Sequence, residues 1–302
     1  MKLVSIITVN YGHSYLTEEL LNSIYQTNNY SEIEIIVVDN GTIPNPVPDW
    51  ENRYPKVQFI RSAENLGFAG GNNLGMKAAK GEYLFLVNND TVFTKSLINI
   101  LVDRMEANSQ IGIISPRILY FDQPDTLQYA GYTPMNYYTA RNECIGERQI
   151  DLGQFHLAAP TGYIHGAAMM LRRSVWEATG GMAAHFFLYY EELDWCDRIK
   201  KAGYEVWIDP AASIYHKESI TVGKNSPLKT YFMNRNRILY IRRNASWYQV
   251  AVFYIYFITV VVPRNILSYI QQGNPAYIRQ LFRAIRWNFS HSKNSPVLGY
   301  RN

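Results

Sequence analysis

The chain has 302 residues, 47% of them apolar and 18% charged, which is enough apolar material for a sizeable core and excludes a disordered chain. A formal net charge of +4 is too small to argue for a nucleic-acid partner. The two cysteines, Cys144 and Cys196, form no CxxC pair and no disulfide framework, so a reducing, cytoplasmic setting is expected.

The branched apolar run at 3–9 reads as a buried first strand rather than a signal peptide, because Asn10 and Gly12 end it early. Leu16, Leu20, Leu21 and Ile24 predict a helix over 15–26. Strands are expected over 34–38, running into Asp39-Asn40-Gly41, and over 57–61. A helix is expected over 72–80, stopped by Gly81, and then a strand over 83–87 that ends at Asn88-Asn89-Asp90. A helix over 96–108 and a strand over 111–115 complete this part. Alternating strands and helices predict an α/β fold with a mainly parallel sheet. Ligands bind such sheets beyond the carboxyl ends of the strands, where Asn10, Asp39, Asn40 and Asn88-Asn89-Asp90 fall.

Residues 119–160 are irregular and polar, the kind of excursion that covers a substrate. Order returns with a strand over 166–172, a helix over 174–179, a helix over 191–202 and a strand over 204–208. Beyond Asn225 the composition shifts. A helix is expected over 229–243. The apolar run 250–262 is then interrupted by Pro263, Arg264 and Asn265, short of the roughly 20 residues needed to span a bilayer. An interfacial or re-entrant helix is expected there, with a core helix as the alternative. From Lys217 onward the chain is rich in Lys and Arg and Glu218 is its one acid, a pattern that suits an anionic membrane surface.

Three segments carry candidate chemistry. Asn65-Leu66-Gly67-Phe68-Ala69-Gly70-Gly71-Asn72 is a glycine-rich stretch entering a helix, where backbone can approach a phosphate. It lacks the Gly-Lys-Ser/Thr of a P-loop, and a plain tight turn is an equal reading. Asp90, delivered to the sheet edge by a buried strand, can ligate a hard divalent ion, with Asn88 offering a carbonyl or holding a water; an Asn/Asp turn closing the strand is the bland alternative. Tyr189-Tyr190-Glu191-Glu192-Leu193-Asp194-Trp195 places three acids at the start of a helix beside aromatic side chains, a setting for a general base of raised pKa or for simple helix-dipole complementation.

Taken in order, these segments resemble the family-2 inverting glycosyltransferases with a GT-A fold, over about residues 1–220. The resemblance rests on Val-Ser-Ile-Ile-Thr-Val-Asn-Tyr at 4–11, Ile-Val-Val-Asp-Asn at 36–40, Asn-Leu-Gly-Phe-Ala-Gly-Gly-Asn-Asn at 65–73, Leu-Val-Asn-Asn-Asp at 86–90, Tyr-Glu-Glu-Leu-Asp-Trp-Cys-Asp-Arg at 190–198 and His216. It implies a catalytic domain over 1–222, with a nucleotide-sugar half at 1–118 and an acceptor half at 119–222, followed by a helical, membrane-associating region at 223–302. It implies that Thr8, Asn10, Asp39, Asn65, Gly70, Asn72, Asn88 and Asn89 hold the nucleotide-sugar donor. Asp90 and His216 would hold a divalent metal, Mn2+ or Mg2+. Glu192 would be the base, with Glu191 its rival and Asp194 nearby, while Gly166, Tyr189 and Trp195 would line the acceptor. Two departures stand out: Asn88 replaces the first Asp of the family's Asp-any-Asp metal motif, and Glu192 replaces the usual Asp of the base position.

The pattern around Arg235-Asn236-Arg237 resembles rhamnosyltransferases of surface polysaccharide and cell-wall assembly. That implies dTDP-L-rhamnose as donor and a lipid-linked glycan as acceptor, at the inner face of the cell membrane, with oligomers possible. A UDP-hexose or UDP-galactofuranose donor stays open, as does a non-catalytic glycan-binding role on a degenerate transferase fold. A nucleotidyltransferase would want Arg or Lys after the first strand, where Asn10-Tyr11-Gly12-His13 stands instead.

Overall fold

The structure, a computed structural model, describes residues 1–217 and 226–300. The chain runs β1 (Val4–Asn10), α1 (Ser14–Thr27), β2 (Ile33–Asn40), α2 (Val47–Arg53), β3 (Val57–Ser62), α3 (Gly67–Ala78), β4 (Tyr83–Val87), β5 (Thr91–Phe93), α4 (Leu97–Ala107) and β6 (Ile111–Tyr120). The polar excursion holds the short strands β7 (Leu127–Tyr129) and β8 (Ala159–Pro160). Then follow β9 (Ala168–Arg172), α5 (Arg173–Thr179), α6 (Glu191–Lys201) and β10 (Glu205–His216). The remainder is helical: α7 (Pro227–Asn244), α8 (Trp247–Tyr256), a π-helical turn (Phe257–Val261), α9 (Val262–Gln271) and α10 (Pro275–Ser290). The expected boundary at 222/223 lies outside the described residues.

The sheet order is β3-β2-β1-β4-β9-β6-β10-β5, with β7 on β6 and β8 on β10. The first four strands are parallel, as the alternation predicts. The sheet is mainly parallel, as expected; β9 runs antiparallel between β4 and β6, and β5 runs antiparallel to β10. Both faces are covered. Leu20, Leu21 and Ile24 of α1, Trp50 of α2 and Leu101 of α4 pack on one side of the sheet, and Met76 of α3, Trp195 of α6 and Ile238 of α7 on the other. The strands are buried on both faces and so read as continuous apolar runs.

Three expectations need correction. Helix α3 starts at Gly67, not at Asn72. Gly71 and Gly75 are therefore packing positions: a Cβ would stand 2.8 Å from Val9 Cγ1 at the first and 2.4 Å from Ile7 Cγ2 at the second, so glycine lets the helix lie close on β1. Strand β10 is longer than expected and runs to His216. Finally, Pro263 does not end the apolar helix. The π turn before it loosens the hydrogen-bond ladder, and helix continues unbroken over Trp247–Gln271, 25 residues apolar and long enough to cross a membrane.

Candidate active site

A cavity of about 620 Å³ opens at the carboxyl ends of β1, β2 and β4. Its floor is the Asn88-Asn89-Asp90 turn. Asn88 anchors that turn by donating its N–H to Ala167 O at 2.9 Å, and its carbonyl accepts from Thr91 Oγ1 at 2.8 Å. The chain then turns directly into β5, whose register on β10 pairs Thr91 with His216. This pairing brings Asp90 and His216 together, and Lys217 N–H donates to Asp90 O at 3.0 Å.

His216 Nε2 lies 3.1 Å from Asp90 Oδ1, both side chains buried. The approach lacks hydrogen-bond geometry, and Asp90 Oδ1 has no hydrogen-bond partner. On its other side, His216 Nδ1 lies 2.8 Å from Gln128 Oε1, an atom that can only accept. With that assignment of the amide, Nδ1 carries a proton, and the tautomer this fixes would turn the Nε2 lone pair toward Asp90. Two acceptors facing each other in a buried site repel unless a cation sits between them. Adjacent ligands of an octahedral ion with bonds of about 2.0–2.1 Å stand about 3 Å apart, which matches the distance found. Among the described residues no three His, Cys, Asp or Glu side chains gather to form a complete metal cage. The pair fits a hard divalent ion that takes few protein ligands and completes its shell with substrate phosphates and water. Gln128 holds the imidazole in place through its contact with Nδ1, on the far side of the ring from Asp90.

The opposite wall carries the acids. Glu191 and Glu192 open α6, and both line the cavity. Glu191 is 2% exposed and its Oε2 has no hydrogen-bond partner. Burial pushes the Glu192 carboxyl up to about 7, opposed by a backbone hydrogen bond at the helix start. Burial raises Glu191 further, and the neighbouring Glu192 charge adds to the rise. Glu191 therefore holds its proton more tightly than Glu192 does. The segment before them is strained: Phe187, Tyr189 and Tyr190 have φ of 66°, 70° and 72°. Such non-glycine residues cost on the order of 1–3 kcal/mol each and persist only where surroundings hold them. One support is α3, since Phe68 N–H donates to Phe187 O at 2.7 Å. Gly67 is required at that approach, with φ of +72° and a Cβ that would lie 2.3 Å from Phe187 O.

The other expected residues fall into two groups. Asn65, Asn72, Asn88, Asn89, Gly166 and Tyr189 line the cavity. Thr8, Asn10, Asp39, Gly70, Asp194 and Trp195 do not. Side chains alternate along a strand, so Val9 and Asn40 face the cavity while Thr8, Asn10 and Asp39 point away. Asn10 donates to Asp39 at 2.9 Å and accepts from Thr17, and Asp39 is ion-paired with Arg61. Asn89 joins this network through Thr17 at 3.1 Å. Gly70 lies within the first turn of α3, where a Cβ would stand 2.7 Å from Leu66 Cβ. Asp194 is turned into the protein, where it accepts from Arg243 Nε at 2.8 Å, Asn244 Nδ2 at 3.0 Å and Arg198 Nε at 3.1 Å. Burial would raise its carboxyl, but these partners outweigh it and hold it below the usual carboxylate range. Trp195 is fully buried and donates to Gly180 O at 2.8 Å.

The phosphate expectation for the glycine-rich segment also changes. The N–H groups of Leu66 and Gly67 are taken by Asn40 Oδ1 at 2.9 Å and Asn65 Oδ1 at 2.8 Å, and that of Phe68 by Phe187 O. Three N–H groups at the start of α3 are thus taken up by the protein itself. Sequence reading missed Gln128, His165 and Lys229. His165 stacks on Tyr132, and burial together with His216 lowers its imidazole to about 3, so the ring is neutral. Its place beside Gly166 was the available signal. Nothing local marks Gln128 or Lys229, which reach the cavity from β7 and α7.

Residues 5–180 match the family model for glycosyl transferase family 2. The chain belongs to that family. This family-2 glycosyltransferase is 28% identical over 241 residues to the low-salt glycan biosynthesis hexosyltransferase Agl10 of Haloferax volcanii, covering 78% of this chain and 74% of the relative. It is 21% identical over 269 residues to the N-acetylglucosaminyl-diphospho-decaprenol L-rhamnosyltransferase of Mycobacterium tuberculosis, covering 82% and 87%. Its fold is similar to the mannosyltransferase PcManGT from Pyrobaculum calidifontis in complex with GDP-Man and Mn2+, with a TM-score of 0.57 at 15% identity over 96% of this chain and 76% of that one. It is also similar to S. aureus TarS 1-349, with a TM-score of 0.58 at 14% identity over 97% and 88%. The family-2 glycosyltransferase therefore has the GT-A fold expected from its motifs.

Proposed function

We propose that this glycosyltransferase is a metal-assisted inverting enzyme that moves L-rhamnose from dTDP-L-rhamnose to a glycan or lipid-linked glycan acceptor. The observation that carries the reading is one cavity with the Asp90/His216 pair on its floor and the Glu191/Glu192 pair on its wall. A divalent ion held by Asp90 and His216 supplies, when bound, charge neutralisation for the leaving diphosphate. Asn65, Asn72, Asn88 and Asn89 supply neutral polar groups to the donor. Glu192 takes the proton from the acceptor hydroxyl as that oxygen attacks the anomeric carbon, and a pKa near 7 suits a base at neutral pH. Direct displacement from the opposite face inverts the configuration. Glu191 beside it holds its proton more tightly, because burial and the neighbouring Glu192 charge both raise its carboxyl.

Rhamnose is favoured by likeness to the mycobacterial L-rhamnosyltransferase over most of both chains. A hexose is the second reading, supported by the archaeal hexosyltransferase. The membrane reading is supported by the helix over Trp247–Gln271. Phe253, Phe257 and Val261 pack it against the protein, whereas Trp247, Ile255, Ile258, Leu267 and Ile270 are exposed. One stripe bound to protein and the other bare suits a helix lying in the interface at the inner membrane face. A thermal-shift screen of dTDP, UDP and GDP and their sugars, with and without Mn2+, tests the reading. Stabilisation by dTDP-L-rhamnose in Mn2+ is expected; stabilisation by UDP- or GDP-sugars alone would replace rhamnose, and no response to any nucleotide would remove the enzyme reading.

A further inference from the structure

Arg235 and Asn236 lie on α7, outside the residues that match the family model, and both are fully buried. Arg235 has carbonyls and a ring for partners in place of a carboxylate. Its Nη2 donates to His185 O at 2.5 Å and its Nη1 to Asn236 Oδ1 at 3.0 Å, and its guanidinium carbon lies 4.1 Å from the Trp287 ring. Burial pushes this guanidinium down to about 10, which still leaves it charged at neutral pH. The Asn236 Nδ2 amino group, with two N–H donors, lies within hydrogen-bond distance of three carbonyls, Phe186 O at 2.9 Å, Leu188 O at 2.7 Å and Tyr189 O at 2.9 Å, so that two of them share one hydrogen. Four carbonyl oxygens of one short segment thus converge on two side chains. Carbonyl dipoles aimed at a common point repel, and buried carbonyls without donors are costly. Only a group rich in donors at that point holds such a turn. The segment is the one with left-handed Phe187, Tyr189 and Tyr190, and the next two residues are Glu191 and Glu192.

We propose that Asn236, braced by Arg235, is a positioning residue for the transfer step: its amide holds the left-handed turn that carries Glu191 and Glu192 to the cavity wall. Helix α7 then positions the acids of the site as well as packing on the domain. This inference rests on Glu192 as the base. An aspartate at 236 would keep the size but replace donors with a carboxylate facing three carbonyls. An alanine would leave the carbonyls bare.

The test uses the full chain with Asn236→Ala and Asn236→Asp, and with Asn236→Ser, which keeps one donor, if neither folds. Amide exchange over 186–192 should accelerate at least tenfold while the strands β1, β2 and β4 exchange as in the parent. Affinity for dTDP or UDP in Mn2+ should stay within about twofold. Turnover should fall at least tenfold, and the apparent pKa of kcat should drop as Glu192 gains solvent. Parental exchange over 186–192, or a loss confined to nucleotide affinity with kcat intact, overturns the proposal. Glu192→Gln measured in parallel separates the two ideas: full turnover in that variant removes the base assignment alone, and the exchange and kcat of the Asn236 variants still decide the clamp.

Discussion

Asp90→Asn makes a two-sided test of the metal-fit argument. In the metal-free protein, Asp90 Oδ1 is buried, has no hydrogen-bond partner and faces His216 Nε2 at 3.1 Å. An unsatisfied buried polar group costs about 1–3 kcal/mol, more if charged. Asparagine is nearly the same size and can turn an N–H toward the Nε2 lone pair. The metal-free variant should therefore be more stable than the parent by about 1–2 kcal/mol, which for a chain of this size is a rise of roughly 2–3 °C in Tm. The response to metal should go the other way. Saturating Mn2+ with a nucleoside diphosphate at about 100 times Kd stabilises the parent by roughly 2.7 kcal/mol, and loss of the one carboxylate should remove most of that shift. Scanning calorimetry with and without Mn2+ and dTDP or UDP reads both effects on the same two proteins. A variant that is less stable without metal yet keeps the full Mn2+ shift would refute the reasoning, because Asp90 would then be an ordinary structural carboxylate.

Glu192→Gln should bind the nucleoside diphosphate as the parent does, by calorimetric titration, and lose about 100-fold or more in kcat; Glu191→Gln should retain most turnover, and the reverse result would exchange their roles. Because Glu192 must be ionised to accept a proton and burial holds it at about 7, kcat should rise with pH through 7 and level off above it, and a rate already flat from pH 5 upward would exclude Glu192 as the base. Gly67→Ala places a Cβ 2.3 Å from Phe187 O at a left-handed position, so it should cost about 2–4 kcal/mol by thermal unfolding and lower kcat together with stability, and an unchanged Tm would count against the contact between α3 and the acid segment. Replacing Ile255, Ile258 and Leu267 together by Asp should abolish co-sedimentation with anionic phospholipid vesicles while leaving Tm within a few degrees, since all three are exposed; retained binding would remove the membrane reading. Truncation after about residue 245 would be a poor test of membrane binding, because α10 supplies Trp287 and Leu281 to the core and truncation would strip both away.

The sequence by itself determined the order of elements and the edge at which chemistry gathers. Apolar period, glycine stops and polar strand ends are local signals, and β1, β2, β4, α4 and α6 stand within a few residues of where those signals put them. It also determined the family, because the motifs fall in one order along the chain. What it could not decide was which side of an edge each residue faces. Thr8 and Val9, or Asp39 and Asn40, differ by one step in a period of two, and only the packing of α1 and α3 on opposite faces says which one meets the cavity. Nor could it decide the partners of Asp90 and Asp194. His216 reaches Asp90 because the three-residue strand β5, too short to show a pattern, pairs with the end of β10. Asp194 leaves the site because Arg243 and Asn244 of α7 take it up. The opening tail of the chain's C-terminal third looked separate for the same reason: its cation, amide and rings gain meaning only when α7 lies against the strained turn at 187–190, a contact between segments about 50 positions apart in the chain.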